Sequence, residues 1–340
     1  MANGNTSPSR LGQVNAAGDA NALFLKVFSG EILTTFEEQN VMKELHMVRT
    51  IQSGKSAQFP ATGIATAGYH TAGENIADSG NGYLSAIKHA ERVISIDDVL
   101  ISSTFIANID ELKNHYDVRS IYAKELGKAL AKRFDVATMK TLAGAARSSA
   151  TVSGGEAGSQ LTGLFAGANA TAAELIDALY GIAETLDGKD VTDEGRFAIL
   201  SPADYYTLIT ADNSAISLAA NRDVGGVGNI ATGTIAQVAG IKLVKSNHLS
   251  TIAVDSSSDT SGDGSSAVKN DVFGANGAGY NGDLSATRIL AGTKEAIGTV
   301  KLLDLATESE YQIERQGTLF VAKYAMGHGV LRPECAVEVQ

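Results

Sequence analysis

The segment between His46 and Ala90 is too poor in large apolar residues to fold by itself. Six glycines, at positions 54, 63, 68, 73, 80 and 82, and a proline at position 60 favour an extended, twisted ribbon. Such a ribbon buries too little apolar surface to offset the conformational entropy lost when it becomes ordered. Long segments without a core of their own are uncommon inside compact domains and are usually functional or disordered. We therefore expect this segment to pack on something else, and the rest of the chain indicates other copies of the same protein.

The bulk composition excludes several classes of protein. A chain of 340 residues that is 44% hydrophobic can bury a substantial core, in two domains or in one large domain with lobes. It contains no apolar run long enough to predict a membrane span, and its polar N-terminus does not resemble a secretory signal. The single cysteine, Cys335, excludes an intramolecular disulfide and agrees with a reducing compartment.

The net charge of −11 argues against a general nucleic-acid-binding protein, which needs a basic surface. This charge is compatible with a protein that lies beside nucleic acid without binding it tightly. A negative wall would repel the phosphates of packed DNA, so that the DNA could be loaded and released.

Periodicity predicts a mixed α and β organisation. The segment around Leu23–Val41 is a broken amphipathic pattern that Gly30 interrupts, and residues 93–108 alternate like strands. Residues 110–147 then predict one long helix, with Gly127 as a candidate bend point. From residue 171 the pattern is α/β, residues 256–281 predict an exposed, mobile insertion, and residues 286–340 predict strands against which the long helix would lie.

The sequence predicts no catalytic site, cofactor site or metal site, so we expect a protein that is not an enzyme. The six histidines have no metal-ligand spacing. The Gly-Lys-Ser triplet at 54–56 lacks the first glycine and the following helix of a phosphate-binding loop. The string GAGYNG at 277–282 matches a dinucleotide fingerprint in letters only, because it follows a loop and no helix begins after it.

Four blocks of sequence together resemble one family. They are LFLKVFSGEILTTF at 23–36, HMVRTIQSGKSAQFPATG at 46–63, HYDVRSIYAKELGKALA at 115–131, and AIGTVKLLDLA followed by AKYAMGHGVLRPECAVEV within 296–339. In order and spacing they resemble the major capsid proteins of T-seven-like short-tailed bacteriophages. The resemblance implies an α+β fold, the HK-ninety-seven-type capsid fold. The implied parts are an N-terminal arm (1–45), an extended loop (46–92), a peripheral domain (93–170) with a spine helix (110–147), an axial domain (171–285) and further peripheral strands (286–340).

The same resemblance implies a non-catalytic function. The chain would assemble with itself into hexamers and pentamers of an icosahedral virion shell, with a scaffolding protein and a portal protein as partners. The shell would enclose double-stranded DNA without sequence-specific binding, and the protein would be made in the bacterial cytoplasm with no membrane involved. Two alternatives stay open here: the shell protein of an encapsulating nanocompartment with the same fold, and an α/β enzyme that binds a ligand through residues 171–250.

The exposure expected of an extended loop selects the candidate site residues. We predict that Phe59, Ile64 and Tyr69 anchor the loop on a neighbouring subunit, and that Arg49 and Lys55 form ionic contacts there. The flex points for shell expansion are predicted at Gly30 and Gly127, although Gly127 could instead allow close packing of the helix. No residue pair is predicted to form a covalent cross-link.

Overall fold

The computed structural model describes residues 40–77, 87–109, 118–152, 154–167, 170–210, 237–249, 270, 272–273, 279–280, 282 and 284–340. The strands are β1 (Met47–Thr50), β2 (Ser56–Thr62), β3 (His89–Ser95), β4 (Leu100–Ala107), β5 (Ser159–Leu161), β6 (Phe197–Leu200), β7 (Gln237–Val238), β8 (Ile241–Lys245), β9 (Ile289–Gly292), β10 (Ile297–Gln312), β11 (Gly317–Val330) and β12 (Ala336–Val339). The helices are α1 (Val118–Arg147), α2 (Ala172–Asp187) and α3 (Pro202–Thr210). Short 3₁₀ turns occupy Met42–Glu44, Ile313–Arg315 and Pro333–Cys335.

The chain divides into two compact units. Among the described residues, the larger unit contains those within Asn40–Val99, Arg133–Asp304 and Ala325–Gln340. The smaller unit contains those within Leu100–Lys132 and Leu305–Tyr324. The boundaries therefore fall inside α1, β10 and β11.

A six-stranded mixed sheet, in the order β5-β12-β9-β6-β8-β7, forms the core of the larger unit. Every residue of β6, β9 and β12 is buried. Helix α2 packs against this sheet through an apolar stripe at helical spacing, in which Leu175, Leu179, Ile182 and Leu186 are fully buried. A capping box between Thr171 and Glu174 begins this helix and satisfies backbone N–H groups that would otherwise lack partners.

The late strands are divided differently from the sequence expectation, which assigned all of 286–340 to a peripheral sheet. Strand β9 pairs antiparallel with both β6 and β12, so the chain returns to the sheet of the α/β part. Strands β9 and β12 are short and buried on both faces, which suits a central position in a covered sheet. Periodicity shows that such a strand is buried, but it does not show which strand is its partner.

Helix α1 runs without interruption for 30 described residues, and the first part of the predicted helix, residues 110–117, lies outside the described residues. The sequence predicts a single apolar face, yet residues 134–146 are buried on every side of the helix. Asp135 satisfies its buried carboxylate by accepting hydrogen bonds from the backbone N–H groups of Val41 (2.9 Å) and Met42 (3.3 Å). Thr138 donates its hydroxyl to the Phe134 carbonyl at 2.9 Å. Polar residues at these positions are therefore core residues.

In the smaller unit, β4 pairs antiparallel with β11, from Leu100 opposite Tyr324 to Ala107 opposite Gly317. The turn between β10 and β11 ends at Gln316, whose φ of 49° is left-handed. Around this turn Tyr311 and Ile313 are exposed.

The prediction that 256–281 is an exposed insertion is wrong at Val272 and Tyr280. Tyr280 and Val272 are only 3% and 8% exposed, and both belong to a core cluster with Ala137 of α1. A Gly- and Ser-rich segment can still place a few of its large side chains in a core that other elements form. The composition of the segment does not show this. Within the described part of the chain, no helix is long and apolar enough to cross a membrane.

Candidate assembly site

The ribbon predicted from composition is a two-stranded antiparallel hairpin. Strands β2 and β3 pair in register from Ser56 opposite Ser95 to Thr62 opposite His89. The ladder continues one step outward, because the N–H of Gly63 donates to the Lys88 carbonyl at 2.7 Å. Glycine and proline within a hairpin that carries little apolar area leave its outer part dependent on external contacts.

The inner end of the hairpin is anchored in the larger unit. Ala57 on β2 and Ile94 on β3 are buried in a cluster with Val300 and Leu331. Phe59, which is half-buried, packs against the same cluster. The hairpin therefore leaves the body of the unit from a fixed base.

The outer end of the hairpin presents apolar side chains to solvent. Ile64 is 75% exposed, Ile76 is 55% exposed, and Tyr69 is fully exposed. On the returning side Ile87 and Val93 are 47% and 48% exposed. Single exposed apolar residues are ordinary, but several along one projecting hairpin indicate an interaction surface.

The five predicted contact residues separate into two groups. Ile64 and Tyr69 lie on the outer hairpin, as expected of residues that contact a neighbour. Arg49 lies on β1 at the base, where its Nη1 donates to the Gln58 carbonyl at 3.1 Å and its guanidinium lies 5.5 Å from the centre of the Phe59 ring. Arg49 and Phe59 are thus engaged with the chain's own hairpin, which favours a role in holding the base.

Lys55 precedes β2 in the turn at the base of the hairpin and is exposed. Its backbone carbonyl accepts a hydrogen bond from the N–H of Ile96 at 2.8 Å, which closes the base. The position is compatible with the predicted ionic contact.

The two predicted flex points have different outcomes. Gly30 lies outside the described residues. At Gly127 in α1, a Cβ atom would meet no atom of the described residues within 4 Å. Among these residues, close packing does not require glycine at this position, and the flex point stays a prediction.

A buried hydrogen-bond relay near the base was not found by sequence reasoning. His46 precedes β1, and its Nε2 lies 2.7 Å from the Thr299 hydroxyl on β10. The same hydroxyl lies 2.8 Å from Nδ1 of His328 on β11. The ring of Phe134 lies against both imidazoles, at centroid distances of 5.7 and 5.2 Å. No spacing signal could have joined residues that are 253 positions apart in the chain.

The surroundings of the relay favour neutral imidazoles. Burial lowers the pKa of His46, opposed by the carbonyl of Met42 and the carboxylate of Asp135, which raise it. Burial, reinforced by the neighbouring His46, lowers the pKa of His328 to about 3. Both rings are therefore uncharged near neutral pH.

A second buried chain of hydrogen bonds joins the other root of the hairpin. Asp97 follows β3, and its Oδ2 accepts a hydrogen bond from the Tyr280 hydroxyl at 2.6 Å. The Tyr280 oxygen in turn accepts from the backbone N–H of His328 at 2.9 Å. Burial raises the pKa of Tyr280 well above its usual value, and the carboxylate of Asp97 raises it further. Tyr280 therefore stays a hydrogen-bond donor across the physiological range.

A groove of about 460 Å³ lies beside the base and is lined by apolar residues, such as Phe59, Ile64 and Leu331, together with charged ones. Three carboxylates line the groove, and two of them, Glu295 and Glu334, form ion pairs with Arg332, whereas the third is Glu156. No group of three His, Cys, Asp or Glu residues is placed to hold a metal ion within the described residues. The groove thus offers contact area and shows no arrangement for catalysis among the residues named.

Comparison with known proteins identifies relatives along almost the whole chain. The family model described as "Gp10A-like: Major capsid protein" matches residues 58–340. The major capsid protein of Escherichia phage T7 is 36% identical over 335 residues, which cover 95% of this chain and 93% of that protein. The major capsid protein of Enterobacteria phage T3 is 34% identical over 333 residues, which cover 96% of this chain and 93% of that protein.

Solved structures show the same likeness. The capsid structure of the cyanophage P-SCSP1u matches with a TM-score of 0.75 and 38% identity, over 98% of each chain. The mature capsid of bacteriophage PhiM1 matches with a TM-score of 0.66 over 98% of each chain, at 18% identity, which is evidence of a shared fold. The expected α+β fold of HK-ninety-seven type is confirmed by these likenesses to phage capsid subunits.

Proposed function

The chain belongs to the Gp10A-like family of major capsid proteins, and from this premise we propose how its copies hold one another in the shell. Its function as a shell-forming component of a phage virion, predicted from the sequence, is confirmed by this membership. Family membership also favours the phage shell over a nanocompartment and over a ligand-binding enzyme. We propose that each subunit lays its outer hairpin across an adjacent subunit, within hexamers and pentamers of an icosahedral shell.

The observation that carries this proposal is the exposure of Ile64, Tyr69 and Ile76 on a hairpin whose base is fixed. Complete burial of one fully exposed side chain of this kind is worth about 1.5–3 kcal/mol. Because Ile64 and Ile76 are 75% and 55% exposed, the three side chains supply on the order of 3–7 kcal/mol of gross stabilisation. Ordering of the hairpin and the loss of subunit freedom on association consume much of this energy. The net free energy of a single hairpin contact between two subunits is therefore small.

Because the subunits form a closed ring, contacts that are weak one by one are sufficient to hold them together. When each subunit grips the next by a different surface from the one by which it is gripped, the contacts are heterologous and close into rings. Within a ring, every subunit both gives and receives a hairpin, so that the contact that closes the ring is intramolecular. Pentamers and hexamers then differ by small rotations at one type of contact, which a hairpin projecting from a fixed base accommodates.

Further partners belong to the same proposal. A scaffolding protein and a portal protein would be partners of the subunits during shell assembly. Packaged double-stranded DNA would be held by confinement, which the net charge of −11 supports, because an acidic subunit does not grip phosphates.

Assembly of the expressed full chain, alone and with a scaffolding protein, tests the proposal. Negative-stain microscopy should show uniform shells or tubes for the unaltered chain. Ile64→Ser and Tyr69→Ser should each reduce assembly without altering the folded subunit. Tyr180→Ser, which changes a 59% exposed tyrosine on α2, is the matched control and should assemble normally. Normal shells from the double variant Ile64→Ser/Tyr69→Ser would contradict the role of the hairpin.

Hydrogen exchange provides an independent measurement. Residues 63–77 should exchange rapidly in free subunits and become protected in shells. Equal exchange in both states would show that the hairpin does not gain contacts on assembly.

A further inference from the structure

Both roots of the extended hairpin end in the same buried group of side chains. The leading root carries His46, which precedes β1, and the returning root carries Asp97, which follows β3. His328 on β11 connects to both: its ring reaches the leading root through Thr299, and its backbone N–H reaches the returning root through Tyr280. We name these five residues the root clasp.

The hydrogen bonds of the clasp fix the position of each proton. The Met42 carbonyl only accepts, so Nδ1 of His46 carries a proton and donates it. Nε2 of His46 is then an acceptor, and it takes the hydroxyl proton of Thr299. The Thr299 oxygen accepts in turn from Nδ1–H of His328. All three groups are satisfied with both imidazoles neutral.

The clasp tolerates one added proton and opposes a second. If His46 gains a proton on Nε2, the Thr299 hydroxyl can turn and donate to Nδ1 of His328, provided that His328 shifts to its other tautomer. If both rings are protonated, Thr299 faces a donor on each side and its own proton loses both acceptors. Two imidazolium charges would also lie one hydroxyl apart in a buried site.

We propose that the root clasp is an acid-sensitive latch that holds both legs of the hairpin together and releases them together when its histidines are protonated. The charged and titratable groups around it define its response. Asp135 on α1 faces His46, and its Oδ2 lies 3.3 Å from Nδ1 of a third histidine, His248. Asp97 and Tyr280 meet the backbone of His328. The consequence for assembly rests on the proposed role of the hairpin, whereas the latch itself does not.

The direction of the response follows from the two histidines. In the closed clasp their pKa values lie below the ordinary 6.5, to about 3 for His328, whereas in the open state they return towards 6.5. The closed state is therefore fully favoured above pH 6.5 and loses stability as the pH falls from there towards 3. For each proton taken up on opening, the opening equilibrium rises about tenfold per pH unit in this window.

Hydrogen exchange on free, unassembled full-length subunits between pH 7 and pH 4.5 tests the latch, with rates corrected for intrinsic exchange. Peptides covering 42–50 and 94–98 should lose protection together, by about tenfold or more per pH unit below 6.5. His328→Asn keeps an amide donor near the position of Nδ1 but does not titrate, so it should reduce this slope while keeping protection at pH 7. His89→Asn, which alters an exposed histidine on β3, is the matched control and should keep the wild-type slope.

Thr299→Val removes the hydroxyl that joins the two imidazoles and should lower protection at both roots already at pH 7. The latch is refuted if wild-type protection does not change with pH, if the two roots respond separately, or if His328→Asn retains the wild-type slope. Because no shell is formed in this experiment, failure of the latch is distinguishable from failure of the proposed assembly contact.

Discussion

Replacing Glu338 by Gln is expected to remove about 3 kcal/mol of stability from the larger unit. Glu338 lies in the buried strand β12, and its side chain has no exposed area. Its two carboxylate oxygens accept bonds of 2.7 Å from Nε and Nη2 of Arg147 at the end of α1. Gln160 donates to it at 3.0 Å, and the Thr287 hydroxyl also donates to it. A glutamine amide can accept with one atom only, so its NH₂ group would face a donor.

The magnitude follows from the burial of the two partners. Breaking a fully buried ion pair costs about 3–5 kcal/mol, because the remaining charge loses its partner in a poorly solvated site. The Arg147 side chain keeps 23% of its exposure, so water can partly solvate the guanidinium left behind. The lower end of the range, about 3 kcal/mol, is therefore expected.

Urea unfolding of the unassembled subunit at pH 7, followed by circular dichroism, measures this loss. Glu295→Gln is the matched control, because the Glu295–Arg332 pair is about half exposed on both sides and should contribute less than about 1 kcal/mol. A loss below about 1 kcal/mol for Glu338→Gln at pH 7 would refute the argument that the pair is buried and organised.

The pH dependence of the same variant provides a second check. Burial raises the pKa of Glu338, but the hydrogen bonds from Arg147, Thr287 and Gln160 outweigh burial, and the net pKa is lowered below 4.5. The stabilisation is therefore present above pH 4.5 and is lost as the pH falls through the pKa of the folded state. The difference between wild type and variant should shrink below pH 4.5. A difference that stays constant down to pH 3 would show that charge is not its cause.

Four further predictions concern single positions. Gly327→Ala places a Cβ against the Ser95 carbonyl oxygen and should lower the thermal midpoint strongly. Gly127→Ala meets no atom of the described residues and should raise helix stability by about 1 kcal/mol while altering shell expansion; wild-type expansion kinetics would contradict the flex point. Tyr69→Ser should leave the urea midpoint of the free subunit unchanged, because the ring is fully exposed there. Thr171→Ala removes the N-cap of α2 and should cost about 1 kcal/mol in urea unfolding; no loss would show that the cap contributes nothing.

Local composition was sufficient to predict the elements whose structure depends on few contacts with distant residues. An extended ribbon was predicted because glycines and sparse apolar residues limit what the segment around residues 46–90 can bury. An α/β pattern was predicted from residue 171 onward, and helix α2 begins there with a capping box at Thr171. The capsid family was predicted from the order of four sequence blocks, and the comparisons confirm it.

Composition failed where a residue's role depends on a distant partner. Val272 and Tyr280 lie in a polar, Gly-rich segment that predicted exposure, yet each contributes one side chain to a core formed by other elements. Phe59 packs on the base of its own hairpin, a contact that its sequence position did not indicate, and its predicted contact with a neighbour stays a prediction. The contacts predicted for Ile64 and Tyr69 remain predictions for the assembled shell.

The sequence by itself determined that this protein has a segment which cannot be stable alone, and hence that it must associate. That conclusion needs only the balance between apolar area and chain entropy, which is local. Only the tertiary structure decided how the segment is held at its roots. His46, Thr299 and His328 become neighbours only when β1, β10 and β11 come together, and burial then sets their proton positions and pKa values. Contacts between residues far apart in the chain are products of folding, so no pattern along the sequence contains them.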